Sequence, residues 1–256
     1  MFVRFRRQLS VLALAAVAGA CGSDSTGPTN YPPATLDQAL AELSIPALSA
    51  VGNSFAEVDA TPSLDPANCP YSAAVQSFVC TPISESGVTI NHSYTLLGAS
   101  GAKQAAFDPA STDAVRANAT VGGTLVEQGT TLTLNGQQEI TLSGLVTGPH
   151  VLNGTSTISL AGTVEDETST YPIDITVGTT IANVVLPPNG TAQSWPSSGK
   201  ITVDVDGSSG PVSLSQARIT ITFSGTSTVD VTMTGGGLSK SCKVDLAVEA
   251  PVCVTQ

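Results

Sequence analysis

Ala217-Arg218-Ile219-Thr220-Ile221-Thr222-Phe223, followed across Ser224-Gly225-Thr226-Ser227-Thr228 by Val229-Asp230-Val231-Thr232-Met233, alternates apolar and polar side chains in both halves. Successive strand residues point to opposite faces, so each half reads as a strand with one dry face and one wet face. The same period of two recurs upstream. Val115, Ala117, Ala119 and Val121 alternate with Arg116, Asn118 and Thr120; Ile140 and Leu142 flank Thr141; Ile158 and Leu160 flank Ser159; and Ile173 to Val177 and Ile201 to Val205 repeat the pattern. No helical period separates these segments, which excludes a parallel α/β sheet. The expected fold is mainly β: eight to eleven strands in an antiparallel meander, curled into a barrel, half-barrel or sandwich because so many strands exceed an ordinary flat sheet.

Turn composition adds a constraint on register. Asn135-Gly136, Asn153-Gly154 and Ser224-Gly225 all read as hairpin tips. A two-residue loop at Ser224-Gly225 places Ile221 opposite Thr228 and splits the apolar residues between faces, whereas an odd loop opposes Ile221 to Val229 and Ile219 to Val231. The same parity prefers Leu132 opposite Ile140 across Asn135-Gly136. Loops of three or five residues, or compensating bulges, are therefore expected. Gly154 to Leu160 and Gly225 to Val231 are similar over seven residues, which convergence on turn-plus-strand composition explains better than duplication.

Helical signals are confined to the early chain. Thr35 caps a segment with Leu36, Leu40 and Leu43 on one face, Gln38 completes a capping box, and Pro46 interrupts. Leu48, Val51, Phe55 and Val58 suggest a second short helix, weakened by Gly52-Asn53. Together they are expected to form a lid on the sheet.

Charge and composition narrow the partners. Only 11% of the 256 residues are charged and 4% aromatic, and the net charge is −11. Removal of the three N-terminal arginines, Arg4, Arg6 and Arg7, takes it to −14. An acidic balance of that size argues against binding nucleic acid or an anionic membrane surface. A transmembrane barrel is disfavoured as well, because its two aromatic girdles are missing and the wet faces are Thr, Ser and Asp.

The N-terminus has the order of an export signal: Arg4, Arg6 and Arg7, then an apolar Leu9 to Val17, then Ala18-Gly19-Ala20 before Cys21. Its apolar core is too short to span a bilayer. Val17-Ala18-Gly19-Ala20-Cys21 resembles the lipobox of bacterial lipoproteins, with Ala18 at the position where that family most often has Leu. The resemblance implies cleavage before Cys21 and acylation of that cysteine, palmitate being a typical chain, and hence a membrane anchor. Two or more chains give stable anchoring, since each buried CH₂ contributes about 0.8 kcal/mol. Residues 22–33, GSDSTGPTNYPP, are too polar to order themselves and read as a tether. The expected organisation is a signal peptide at 1–20, a lipidated N-terminus and tether at 21–34, and one β-rich domain at 35–256, held outside the cytoplasm in the cell envelope.

Four further cysteines suit an oxidising compartment. Cys69 and Cys80 lie eleven positions apart, as do Cys242 and Cys253. Three connectivities are open, and Cys69–Cys80 with Cys242–Cys253 is favoured because each pair flanks a segment able to fold back as a hairpin. In the second, Lys243-Val244-Asp245 is expected opposite Ala250-Pro251-Val252. Zinc is not indicated, because no C-x₂₋₄-C cluster is present. Cys69-Pro70-Tyr71, with Phe78 and Cys80, also resembles a segment of uncharacterised bacterial lipoproteins, which carries no activity with it.

No motif names a reaction. G-x-S-x-G, H-E-x-x-H, C-x-x-C and a phosphate-cradling glycine loop are all missing. His92 and His150 read as structural, having no ligand-type neighbour in sequence. Asp204 and Asp206 share one face of a strand, and Glu165-Asp166-Glu167 forms a short acidic run. Both are hard oxygen donors, yet the EF-hand order is missing and solvated turns explain them. Trp195, the sole tryptophan, stands in a Pro- and Ser-rich loop, either stacking on a sugar or partner or plugging one end of the fold. The ligand candidates are thus Trp195, Asp204 and Asp206, with no catalytic residue, metal or cofactor expected. The function implied is a cell-envelope lipoprotein, a non-enzymatic binding or structural module. The alternative is a carboxylate-dependent hydrolase of envelope or extracellular polymers, which requires two acids converging in one cleft.

Overall fold

The computed structural model describes residues 68–127, 129–146, 148–165, 170–187, 195–209, 212–213, 216–247 and 254–255. The expected signal peptide, Cys21, the expected tether, the two expected lid helices, Asp166, Glu167 and Cys253 lie outside them. Among the described residues there is no helix.

Fifteen strands make up the described chain. A short hairpin, β1 (Tyr71–Ser72) and β2 (Ser77–Val79), leads to β3 (Ile83–Glu85), β4 (Val88–Gly98) and β5 (Lys103–Gln104). Four long strands follow: β6 (Thr112–Glu127), β7 (Thr130–Ser143), β8 (Val151–Glu165) and β9 (Thr170–Val185). The last group is β10 (Ser198–Ser209), β11 (Val212–Ser213), β12 (Ala217–Thr222), β13 (Thr228–Gly235), β14 (Leu238–Asp245) and β15 (Val254–Thr255).

All of them join one antiparallel sheet in the order β1-β2-β4-β6-β7-β8-β9-β10-β12-β13-β14-β15, with β3 and β5 pairing on β4 and β11 on β10. The meander is as the alternation predicts. The hydrogen-bonded path, however, is one open sheet running from β1 to β15 that does not close into a barrel. Strand count had suggested closure, but closure requires the terminal strands to pair. Here these are two residues each, and β15 pairs with β14 only.

Register puts the apolar residues of neighbouring strands on a common face. Ile201 pairs Ile221, which pairs Val231, which pairs Cys242; Val203 pairs Ile219, which pairs Met233. Every one of these is at most 8% exposed, and Ile219, Ile221 and Phe223 are at 1%, 0% and 4%. Such cross-strand apolar pairs contribute about 0.2–1 kcal/mol each beyond burial. On the opposite face the next row runs Glu139, Thr155, Thr180, Thr202, Thr220, Thr232, Ser241. From β10 to β14 one face of the sheet is therefore aliphatic and the other is rich in hydroxyls, whereas the aliphatic face turns polar toward β7 along Thr179, Ser156 and Gln138.

Parity holds at Ser224-Gly225, where residues 223–227 form a five-residue connection. The partners are shifted by two, Ile221 facing Val231 rather than Val229, and the shift leaves every side chain on its predicted face. The other two expected tips are not turns. Asn135-Gly136 lies inside β7, and Asn153-Gly154 lies inside β8 beside a bulge formed with Asn183 in β9. Gly136 sits between Val121 and Ile158, and Gly154 between Ile140 and Ile181. A Cβ on Gly154 would lie 2.6 Å from the Glu139 carbonyl oxygen, and one on Gly136 would lie 2.8 Å from Val121 Cγ1. These glycines make room for large residues on flanking strands, which is a strand role for glycine as well established as the turn role. Gly154 in a strand and Gly225 in a loop also occupy unlike settings, in accord with convergence rather than duplication.

Candidate functional site

Of the residues singled out by sequence, Asp204 and Asp206 are brought together on the hydroxyl face of β10. A groove of about 340 Å³ opens over them, lined by Thr157 of β8, Thr176 and Gly178 of β9, and Gln216 just before β12. Its origin is local. In the row Thr157, Gly178, Asp204, Arg218, the glycine supplies no side chain, and a Cβ there would meet only Asp204 Cβ at 4.0 Å. The missing side chain is the floor of the groove.

Charge in this region is largely engaged across strands. Arg218 Nε donates to Asp204 Oδ1 at 2.5 Å, and this hydrogen bond, with the carboxylate's charge, raises the Arg218 pKa above its ordinary value. Lys243 Nζ similarly donates to Asp230 at 2.6 Å between β13 and β14. Asp206 is exposed in the groove. What the site offers is hydroxyls, an amide and carboxylate oxygens on a solvent-facing surface, which suits hydrogen bonding to a polar ligand. Glu165 stands at the end of β8 opposite Thr170, whereas Asp206 pairs Thr176, so six residues of β9, roughly 20 Å, separate them. Among the described residues Asp204 and Asp206 therefore share the groove, and Glu165 stands apart from both.

Trp195 does not join the groove. It precedes β10, with Asp204 six residues beyond Ser198, roughly 20 Å along the strand. It is half-buried, and its neighbours anchor it: Ser197 N donates to the Val185 carbonyl at 2.9 Å, and Gly225 N to the carbonyl of buried Pro196 at 2.9 Å. His150 is partly buried after the Gly148-Pro149 break, its carbonyl accepting from Leu186 N at 2.9 Å.

Cys69 and Cys80 form the expected disulfide, closing the β1–β2 hairpin in which Tyr71 pairs Phe78. Cys242 is disulfide-bonded too. Cys253 immediately precedes β15, whose Thr255 and Val254 pair Cys242 and Lys243, two residues displaced from the predicted register. Around the first disulfide, Phe78 and Leu96 complete a buried cluster on which Tyr71, Tyr94 and Val115 pack.

Sequence reading missed one neighbour of this disulfide, His92. Its ring stacks edge-on against Tyr94 with centroids 5.9 Å apart, burial lowers its pKa, and Nδ1 is buried with no hydrogen-bond partner. One of its ring nitrogens and both cysteine sulfurs lie within 4.8 Å of one another. Nothing in the spacing signals this, because the contact depends on β2 pairing with β4 across the excursion through β3. Comparison with protein-family models, with curated proteins and with solved structures finds no match to this chain.

Proposed function

We propose that the protein is a lipid-anchored cell-envelope lipoprotein whose two-faced sheet is a non-enzymatic binding or structural module. The observation that carries this reading is the groove that presents Asp204, Asp206, Thr157, Thr176 and Gln216 together on the hydroxyl-rich face. Its polar groups are solvent-facing and suit recognition of a hydroxyl-rich or cationic polar ligand. The export-type N-terminus supports anchoring through Cys21 and a location outside the cytoplasm, and the Cys69–Cys80 disulfide is in keeping with that compartment. The open sheet, curled about its aliphatic face, serves as the scaffold.

Mass spectrometry of natively purified protein tests both halves. The expected result is a mature chain beginning at an acylated Cys21, together with a co-purifying small molecule that is lost from Gly178→Phe, a substitution that puts a ring into the groove from a position whose Cβ meets no backbone within 4 Å. A chain that keeps its first twenty residues refutes the anchor. Retention of the same molecule by a folded Gly178→Phe variant refutes the groove.

A further inference from the structure

The backbone holds Cys69, Cys80 and His92 in one row, independently of the sulfur–sulfur bond. Val79 N donates to the Pro70 carbonyl at 3.0 Å and Thr81 N to the Asn68 carbonyl at 2.8 Å, which brackets Cys69 and Cys80 as facing residues of one antiparallel ladder. Cys80 N in turn donates to the His92 carbonyl at 3.1 Å, which fixes His92 as the neighbour on the next strand. The three potential ligand atoms lie within 4.8 Å of one another, and His92 Nδ1 is the buried side-chain polar atom left without a partner among the described residues. An unmet buried ring nitrogen is costly and calls for an explanation.

We propose that Cys69, Cys80 and His92 form a thiolate–imidazole site for a thiophilic metal ion, Zn²⁺ being the best match, which the disulfide closes and reduction opens. Two sulfurs and one nitrogen with a fourth position left free is a donor set that Zn²⁺ accepts. The chemistry balances with an external dithiol as reductant. It gives two electrons and two protons to the Cys69–Cys80 bond and becomes a disulfide itself, and metal binding then releases the two thiol protons to solvent. Phe78, Leu96, Tyr71 and Tyr94 supply an apolar surround that limits water at the ion. In the tautomer that carries its proton on Nε2, His92 Nδ1 has a lone pair that no hydrogen bond occupies.

The test is a Co²⁺ titration of the full chain before and after reduction, with the reductant removed anaerobically and far-UV circular dichroism confirming that the sheet persists. The reduced protein is expected to take up one Co²⁺ with thiolate-to-cobalt charge-transfer bands that Zn²⁺ abolishes, and the oxidised protein to show none. His92→Gln should weaken binding at least about tenfold, the least that loss of even a supporting group around a metal costs. Cys242→Ser, which removes the other disulfide, should leave the bands in place. Absence of bands in a reduced protein that keeps its sheet overturns the proposal. So does equal affinity in a folded His92→Gln variant, or bands that disappear with Cys242→Ser while the fold survives.

Discussion

Ile221→Ala tests the two-faced sheet at its most enclosed point. Ile221 is fully buried between Ile201 on β10 and Val231 on β13. The substitution removes three carbons, a transfer loss of about 2.4 kcal/mol at about 0.8 kcal/mol each. Partial collapse of the resulting cavity sets the total within about 2–5 kcal/mol, the range for truncating buried aliphatic residues. For a domain of this size, a loss near 3 kcal/mol corresponds to a fall in Tm of about 6–12 °C. Urea unfolding followed by circular dichroism, at unchanged m-value, measures it. Val126→Ala is the control: that side chain is 70% exposed, and its removal should cost no more than about 0.5 kcal/mol. Equal losses for Ile221→Ala and Val126→Ala would refute the assignment of β12 to a buried face.

Three further outcomes are expected. Gly154→Ala, whose new methyl meets the Glu139 carbonyl, should destabilise by about 1–3 kcal/mol, and Gly136→Ala, whose nearest obstacle is a movable Val121 methyl, by less; a reversed order in thermal melts would show that these glycines are not strand spacers. Arg218→Ala should cost at most about 1 kcal/mol and less in high salt, because the Asp204 pair is half exposed; a larger, salt-independent loss would contradict that. The turn before β6 should loosen in acid: Asp108 accepts from Ser111 Oγ at 2.7 Å and from Ala110 N at 2.9 Å, which lowers its pKa below the ordinary 3.8. Its stabilising effect is complete above 3.8 and is lost as pH falls through the lower folded value, so Ala110 amide exchange should accelerate there, after correction for intrinsic rates, in wild type but not in Asp108→Ala.

Local alternation made the strands and their dry faces legible, because side-chain direction in a strand is a property of residue parity alone. Ile219, Ile221, Val229 and Val231 all lie where that parity puts them. Strand ends were harder to read. The rule that asparagine-glycine marks a tip failed at Asn135-Gly136 and Asn153-Gly154, since a glycine that relieves crowding from Ile140 or Val121 has the same local signature as one that turns the chain. Sheet closure was illegible because it depends on whether distant terminal strands find each other. The groove was half legible: Asp204 and Asp206 were visible, but Thr157, Thr176 and the vacancy over Gly178 arrive from strands 26 to 49 residues away in sequence. His92 beside the disulfide needed register that no spacing encodes.

The two-residue outer strands have a consequence for the borders of the sheet. A sheet border offers unpaired amides and carbonyls on which another chain can add, and a long, flat border invites fibre growth. Here β1 ends against Pro70, which has no amide hydrogen to give, and β15 is over within two residues. Among the described residues β15 pairs only Cys242 and Lys243 of β14, so the Leu238–Ser241 stretch has no neighbouring strand on its outer side and is the part of this rim where another chain would add.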